Sequence, residues 1–290
     1  MISSEDLKLK RAVQLLCSTG IRRPLASERM RTWLKQFSSG PEHTLALLIL
    51  RHLIYRTSNQ IESSLTQALR RMALHFALND KDRSTMYWRD ILEGRAQLNF
   101  YFGPPEHEYT RPGKSGELII RLLKQIFSIK SEQIEYPSSN KTLSTNERFL
   151  MIDDGTFSGD QLSKIIEANS TLMKRPGQTG VVVSIAHERA LQRFERDFPE
   201  IPVFYGEKMT EQDGLVAISE QWIVAGNWPY GNDLPCEVYN EIVKKAGFKT
   251  VQPLGYAGLG LMVAYEHGIP DDSLQLLWDK SDSWTPLFDR

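Results

Sequence analysis

The sequence has 290 residues, of which 41% are hydrophobic and 24% are charged, and its formal net charge is −1. These fractions are ordinary for a folded globular protein and exclude collagen-like, disordered and disulfide-stapled chains. The length favours two domains, since one domain commonly takes about 100 to 200 residues. Because Cys17 and Cys236 lie far apart, and no secretory signal or apolar run of about 20 residues is present, we expect a reduced, cytoplasmic protein with no membrane contact.

Charge is divided unevenly along the chain. Residues 1–90 hold 15 Lys and Arg against 8 Asp and Glu, a balance of +7, which leaves a balance of −8 for residues 91–290. Two parts that differ in this way are expected to have different roles. The sequence therefore predicts a domain boundary near residue 90, and we expect residues 91–290 to fold on their own.

The first 90 residues are predicted to be helical. Helical spacing of apolar residues predicts helices over residues 5–18, 28–37, 43–57 and 60–78. Short helices with basic residues on the later ones are typical of a winged-helix or helix-turn-helix module. The arginines that would meet a nucleic acid are Arg51, Arg56, Arg70 and Arg71. A helical cap or dimerisation domain with solvated charges explains the same pattern.

One stretch, residues 149–162, joins a predicted buried strand to a predicted helix. Its apolar start, FLMI, suits a central parallel strand covered on both faces, and Asp153 and Asp154 follow it directly. Open α/β sheets bind their ligands at the carboxyl ends of the strands. The next residues, GTFSG, supply two glycines and two hydroxyls just before a helix, so their backbone N–H groups can hold a phosphate. An ordinary strand followed by an Asp-rich turn and a helix cap is the other explanation.

Residues 152–159 (IDDGTFSG) resemble the motif of type I phosphoribosyltransferases that binds 5-phosphoribosyl-1-pyrophosphate (PRPP). The resemblance implies that Asp153 and Asp154 are the catalytic residues, which bind the ribose hydroxyls and hold Mg²⁺ indirectly. It also implies that the 5-phosphate lies against Gly155, Thr156, Phe157, Ser158 and Gly159. The ending S-G-D-Q departs from the more usual T-G-G-T, so that Asp160 is placed beside the expected phosphate.

Two further segments suit the same ligand. In the resembled family a loop after an early strand binds the pyrophosphate, which implies this role, within the Gly- and Pro-rich residues 103–116, for Arg111, Lys114, Ser115 and Gly116. A helix cap explains Ser115 equally well. The polar residues 137–147, whose one cation is Lys141, are predicted to be either a mobile catalytic flap or a surface hairpin connection.

The rest of the chain alternates between strands and helices. Strands are predicted over residues 133–136, 180–186, 201–205 and 261–265, and helices over residues 117–129, 161–173, 187–197 and 235–246. This alternation predicts βαβ units on one parallel sheet. Glu266 and His267, at the end of the last strand, are additional candidates for acid/base chemistry or base recognition, although a turn satisfied by backbone groups explains them too.

The sequence as a whole resembles the phosphoribosyltransferase-like proteins of bacterial conflict and anti-phage defence systems, including retron-associated effectors. The resemblance is carried by IDDGTFSG, by the Gly-Lys-Ser-Gly loop and by the ending GLGLMVAYEHGIPDDSLQLLW with SWTPLF. It implies an α/β fold, with a parallel-sheet type I phosphoribosyltransferase-like domain at residues 91–290 and a small helical, winged-helix-like domain at residues 1–90.

Two functions follow from this resemblance. The first is a toxic effector, controlled by a partner such as a reverse transcriptase with its nucleic acid, that acts at ribose C1. Such an effector is either a phosphoribosyltransferase or an enzyme that cleaves the N-glycosidic bond of a nucleotide. The second is an inactive sensor that binds a nucleotide without turnover, while the basic N-terminal domain binds nucleic acid or a partner protein.

Overall fold

The computed structural model describes residues 4–22, 25, 27–38, 40–78, 88–93, 99–105, 115–139, 141–173, 175–231 and 233–289. Its helices are α1 (Ser4–Ser18), α2 (Ser27–Leu34), α3 (Pro41–His52), α4 (Ser58–Leu78), α5 (Trp88–Leu92), α6 (Ser115–Ile126), α7 (Asp160–Ala168), α8 (Ser170–Met173), α9 (Glu188–Asp197), α10 (Leu215–Val224) and α11 (Pro235–Ala246). Its strands are β1 (Ile54–Arg56), β2 (Asn99–Gly103), β3 (Glu147–Thr156), β4 (Thr179–His187), β5 (Val203–Met209) and β6 (Val263–Tyr265). Within these ranges, no helix is both long and apolar enough to cross a membrane.

The chain forms two compact units. Unit 1 consists of Met1–Ser58 together with Thr210–Arg290, and unit 2 consists of Asn59–Met209. Unit 2 contains a four-stranded parallel sheet in the order β2-β3-β4-β5. All nine residues of β4 are buried, as expected of a central strand covered on both faces. The predicted α/β fold with a parallel sheet is confirmed, whereas the winged-helix character of the N-terminal helices stays a prediction.

Strand β3 is longer than the apolar run that predicts it. It continues through Asp153 and Asp154 as far as Thr156, which pairs with Ala186 of β4. Its pairing with β2 ends earlier, at Met151. The two aspartates therefore lie within the last part of the strand and not after its end, and in the part of the chain that the structure describes only β4 pairs with the strand there.

Other local predictions differ in detail. The predicted strand at residues 133–136 is instead a 3₁₀ turn, Ser131–Gln133, followed by a single bridge between Phe102 and Ile134. The predicted helix at residues 161–173 is divided into α7 and α8 at Asn169. Helix α10 has no counterpart in the sequence-based predictions. Helix α11, in contrast, has the predicted bounds of residues 235–246.

Unit 1 is organised around helix α3. Its residues from Thr44 to Leu50 are all buried, so other apolar segments must pack against every side of the helix. The same core cluster contains residues of α1, α2, α10 and α11 and of the chain after β6. The indole N–H groups of Trp33 and Trp284 both donate to the backbone oxygen of Leu276, at 3.2 and 3.0 Å. The first and last segments of the chain thus share one core.

The predicted boundary near residue 90 does not coincide with the division in the structure. The chain passes from unit 1 to unit 2 after Ser58 and returns at Thr210. The charge balance of a segment depends only on its composition. It does not show which distant segment packs against an apolar helix such as α3. The two parts of unit 1 are also joined by strand pairing, because β1 pairs with β6 and Tyr55 lies beside Ala264.

We expect a fragment of residues 91–290 to be less stable than the full chain, because it keeps residues 210–290 without the helices that share their core. The fragment should bind a hydrophobic dye and be digested rapidly within residues 210–290. Limited proteolysis and urea unfolding of the fragment and the full chain provide the measurement. A fragment that unfolds cooperatively, at the same urea concentration as the full chain, would contradict this expectation.

His52, at the end of α3, is held as a neutral imidazole. Its Nδ1 lies 2.9 Å from the backbone oxygen of Leu48, and the indole N–H of Trp222 donates to its Nε2 at 3.4 Å. A ring that donates at Nδ1 and accepts at Nε2 carries one proton. Burial lowers the pKa of His52, and the charges of Arg51 and Arg22 act in the same direction.

This arrangement predicts a pH dependence of stability. The unfolded chain takes up the proton more readily than the folded chain, so the free energy of unfolding should fall as the pH drops below about 6.5, the ordinary pKa of His. The loss is complete once the pH lies below the lowered pKa of the folded state. His52→Gln should therefore show a smaller change in its urea midpoint between about pH 7.5 and about pH 5.5. His75→Gln, at an exposed histidine of α4, is the matched control. Equal changes in His52→Gln and wild type would refute the assignment.

Candidate functional site

The acidic pair lies at the carboxyl end of β3. Asp153 is buried, with 5% of its surface exposed, and Asp154 is half-buried. One carboxylate oxygen of Asp153, Oδ1, accepts hydrogen bonds from the hydroxyl of Ser115 at 3.0 Å and from the backbone N–H of Asp154 at 2.9 Å. On the side of β4, the hydroxyl of Ser184 donates to the backbone oxygen of Asp154. Ser64 of α4 in turn donates to the backbone oxygen of Ser184 at 2.7 Å.

Helix α6 begins against the chain that leaves β2. A Cβ atom on Gly116 would lie 2.8 Å from Cβ of Pro104 and 2.9 Å from Cδ of Pro105, so only glycine permits this close approach. The approach places Ser115, the first residue of α6, beside Asp153. The structure therefore brings together the acidic pair and the end of the predicted pyrophosphate loop. Arg111 and Lys114 lie outside the described residues.

The predicted phosphate loop, residues 155–159, leads directly into α7. Thr156 and Phe157 are buried, whereas Gly155 and Ser158 are partly exposed. Gly159 precedes the helix with φ of 79°, a left-handed conformation that favours glycine. Gly159 has no side chain with which to cap α7, although the backbone N–H of Asp160 donates to the hydroxyl of Ser158 at 3.4 Å. The N-terminal end of a helix, with its backbone N–H groups, is suited to an anion.

Helix α9 packs over the end of this loop. A Cβ atom on Gly159 would lie 3.3 Å from Cα of Ala190 and 3.3 Å from Cδ of Arg193. The guanidinium of Arg193 forms an ion pair with Asp160 through Nη1, and its Nε lies 3.7 Å from Asp197. The negative charge that Asp160 adds to the loop is therefore offset by a cation from another helix.

Lys141 is placed away from the acidic pair. Its Nζ lies 3.9 Å from the centroid of the Tyr101 ring, and the hydroxyl of Tyr101 donates to Glu147 at 2.8 Å. Burial, and then the hydrogen bond to Glu147, raise the pKa of Tyr101, while a backbone N–H of Ser144 lowers the pKa of Glu147. Since Glu147 begins β3, Asp153 lies about 20 Å further along the strand at about 3.3 Å per residue. These contacts tie the predicted flap segment to the amino-terminal end of the sheet.

Glu266 and His267 belong to unit 1. The carboxylate of Glu266 accepts from the backbone N–H of Ser58 at 2.7 Å and from its hydroxyl at 2.9 Å, where α4 begins. The ring of His267 stacks on Tyr265 at a centroid distance of 5.2 Å. These contacts suit a helix cap and a strand-end turn.

The arginines that were predicted to contact a nucleic acid belong to different units, Arg51 and Arg56 to unit 1 and Arg70 and Arg71 to unit 2. Arg51 and Arg70 are exposed. Arg71 donates to the backbone oxygen of Tyr205 at 2.7 Å, and its guanidinium lies 5.6 Å from the centroid of that ring. Packing of this kind explains Arg71 without a nucleic acid.

The acidic pair suits a metal that arrives with its ligand. Among the described residues, no group of three or more His, Cys, Asp or Glu is arranged to hold a metal ion. Mg²⁺ is commonly bound by one or two carboxylates together with waters and the phosphates of a substrate. Asp153 and Asp154 fit that arrangement, and they do not form a metal cage of the protein alone.

Three residues of the site were not identified from the sequence. Ser184 had a signal, because it is the one polar residue within the apolar run GVVVSIA. Ser64 and Arg193 had none, since polar residues on helices are usually solvated. Their roles depend on contacts between segments that are far apart in the sequence.

Comparison with known proteins identifies the family of this chain. Residues 30–290 match the family model described as PRTase-CE. No curated protein matches the chain. Among solved structures, the AQ2163 protein from Aquifex aeolicus is similar at 16% identity over 65% of this chain and 85% of that chain, with a TM-score of 0.26. Because the family match spans most of the sequence, the chain belongs to the PRTase-CE family and carries a phosphoribosyltransferase-like domain.

Proposed function

We propose that this chain binds PRPP or a nucleotide at the carboxyl end of β3 and acts at ribose C1. The observation that carries the proposal is the hydrogen bond of 3.0 Å between Ser115 and Asp153. It joins the start of α6, where a pyrophosphate would bind, to the strand end where a ribose would bind. Membership of a phosphoribosyltransferase-like family supports the same chemistry.

The proposed roles follow from charge and position. The carboxylates of Asp153 and Asp154 accept hydrogen bonds from ribose hydroxyls, which orients the sugar. The first turn of α7 holds the 5-phosphate with backbone N–H groups. Bound Mg²⁺ would supply positive charge to the pyrophosphate oxygens. A bond at C1 breaks through a transition state with positive charge on the sugar, so the protein acts mainly by positioning and by stabilising charge.

The alternative is a nucleotide sensor without turnover. It is favoured by Asp160, which replaces a small residue in the usual form of the loop and so weakens the case for efficient PRPP use. An effector role in anti-phage defence, with control by a reverse transcriptase or nucleic acid partner, is also part of the proposal and rests on the sequence resemblance. Release of pyrophosphate or free base from PRPP or nucleotides, with Mg²⁺ present, separates an enzyme from a sensor.

Replacing both carboxylates tests the ribose site. The double variant Asp153→Asn with Asp154→Asn should bind PRPP roughly 10- to 100-fold more weakly, since charge-assisted hydrogen bonds become neutral ones. Stability should be retained, because Oδ1 of an asparagine still accepts from Ser115. Calorimetric titration with PRPP and Mg²⁺, and urea unfolding, provide the two measurements. Glu167→Gln, at an exposed residue of α7, is the control. Unfolding of the double variant would mean that the pair is structural.

Gly159→Ala tests the phosphate loop. The left-handed backbone costs an alanine about 1 to 2 kcal/mol, and its Cβ would press on Ala190 of α9. Gly177→Ala is a matched control, since Gly177 has φ of 70° and nothing within 4 Å of its added Cβ. We expect both variants to lose stability in urea, Gly159→Ala more so, and only Gly159→Ala to bind PRPP weakly. Equal binding by the two variants would count against the loop.

A further inference from the structure

The predicted phosphate loop lies in a negatively charged stretch of sequence. Between Arg148 and Lys164 the chain has three carboxylates, those of Asp153, Asp154 and Asp160, and no Lys or Arg. A phosphate monoester brings a further charge of about −1.5 to −2 at neutral pH. Backbone N–H groups carry only partial charges, so a cation from another segment of the chain would strengthen the binding of a phosphate at this loop.

Helix α9 supplies a cation at this place. The stem of Arg193 crosses Gly159, because Cδ would be 3.3 Å from a Cβ atom added there. Its guanidinium then reaches Asp160, the first residue of α7. The side chain keeps 30% of its surface exposed, so solvent and ligands can reach it. Arg193 thus lies over the junction between the loop and the helix.

We propose that Arg193 binds the 5-phosphate of the ligand and that Asp160 competes with the phosphate for its guanidinium. The inference rests on the function proposed above, and it adds a residue that selects ligands by their charge. A guanidinium presents five N–H donors in a planar fork, so it can share a carboxylate and a phosphate or turn from one to the other. A dianionic phosphate attracts it more strongly than a single carboxylate does.

The pair would act as a filter for phosphorylated ligands. A neutral nucleoside offers nothing that competes with Asp160, so Arg193 stays bound to that carboxylate and contributes nothing to affinity. A ligand with a 5-phosphate gains the contact. The sequence S-G-D-Q in place of T-G-G-T then has a function, because Asp160 holds the guanidinium of Arg193 at the N-terminal end of α7.

A double-mutant cycle tests the proposal. If Arg193 only neutralised the charge of Asp160, Arg193→Gln would also bind the phosphorylated ligand more weakly. This single variant therefore does not distinguish neutralisation from a direct contact with the phosphate. The deciding comparison is Asp160→Asn against Asp160→Asn with Arg193→Gln, because the carboxylate is absent from both. A phosphate contact predicts that the second change weakens binding of ribose 5-phosphate by about 10-fold or more. No change in affinity would overturn the proposal.

The cycle is measured by calorimetric titration of the full chain with ribose 5-phosphate and with PRPP and Mg²⁺. Arg196→Gln, on the same helix and paired with Asp197, is the matched control and should bind as wild type does. Arg193→Lys keeps the charge and should retain part of the affinity, which guards against a folding defect in Arg193→Gln; urea unfolding checks each variant. Wild type that binds neither ligand would overturn the proposed function and this inference together. Binding that depends on Asp153 and Asp154 but not on Arg193 would overturn this inference alone.

Discussion

The pairing of β3 with β4 beyond the end of β2 is the constraint on which the site depends. Strand β2 stops beside Met151, so among the described residues the last part of β3 pairs with β4 alone. Strand β4 holds it there, as far as the pair of Thr156 with Ala186. The hydroxyl of Ser184 adds a bond to the backbone of Asp154. A polar stretch can therefore continue an apolar strand beyond the point where its pairing with β2 ends.

Local signals predicted those parts of the structure that are determined locally. Helix α11 has Pro235 in its first turn and Gly247, with φ of 67°, just after its end, and its bounds agree with the prediction. The turn before α7 was likewise indicated by the glycines and hydroxyls of residues 155–159, although Gly155 and Thr156 belong to strand β3. Helix α10 gave no such signal, because Leu215–Val224 is apolar nearly all round and follows Gly214, which has no capping side chain.

Tertiary contacts explain what the sequence did not reveal. Arg193 is an ordinary charged residue of an amphipathic helix until α9 is placed over Gly159. Lys141 had the right charge for a ligand contact, yet its segment is bound to Tyr101 and Glu147 at the other end of the sheet. In both cases the residue type was known, and only the packing of its segment shows which residues it contacts.

The division of unit 1 between the two ends of the chain has a consequence for biosynthesis. Helix α3 emerges from the ribosome early, but residues such as Leu276, which share its core, emerge more than 200 residues later. At about 5 to 20 residues per second, an apolar helix waits roughly ten seconds to a minute for its cover. During that interval the nascent chain is a substrate for chaperones and a risk for aggregation, and any partner that recognises α3 must bind before synthesis is complete.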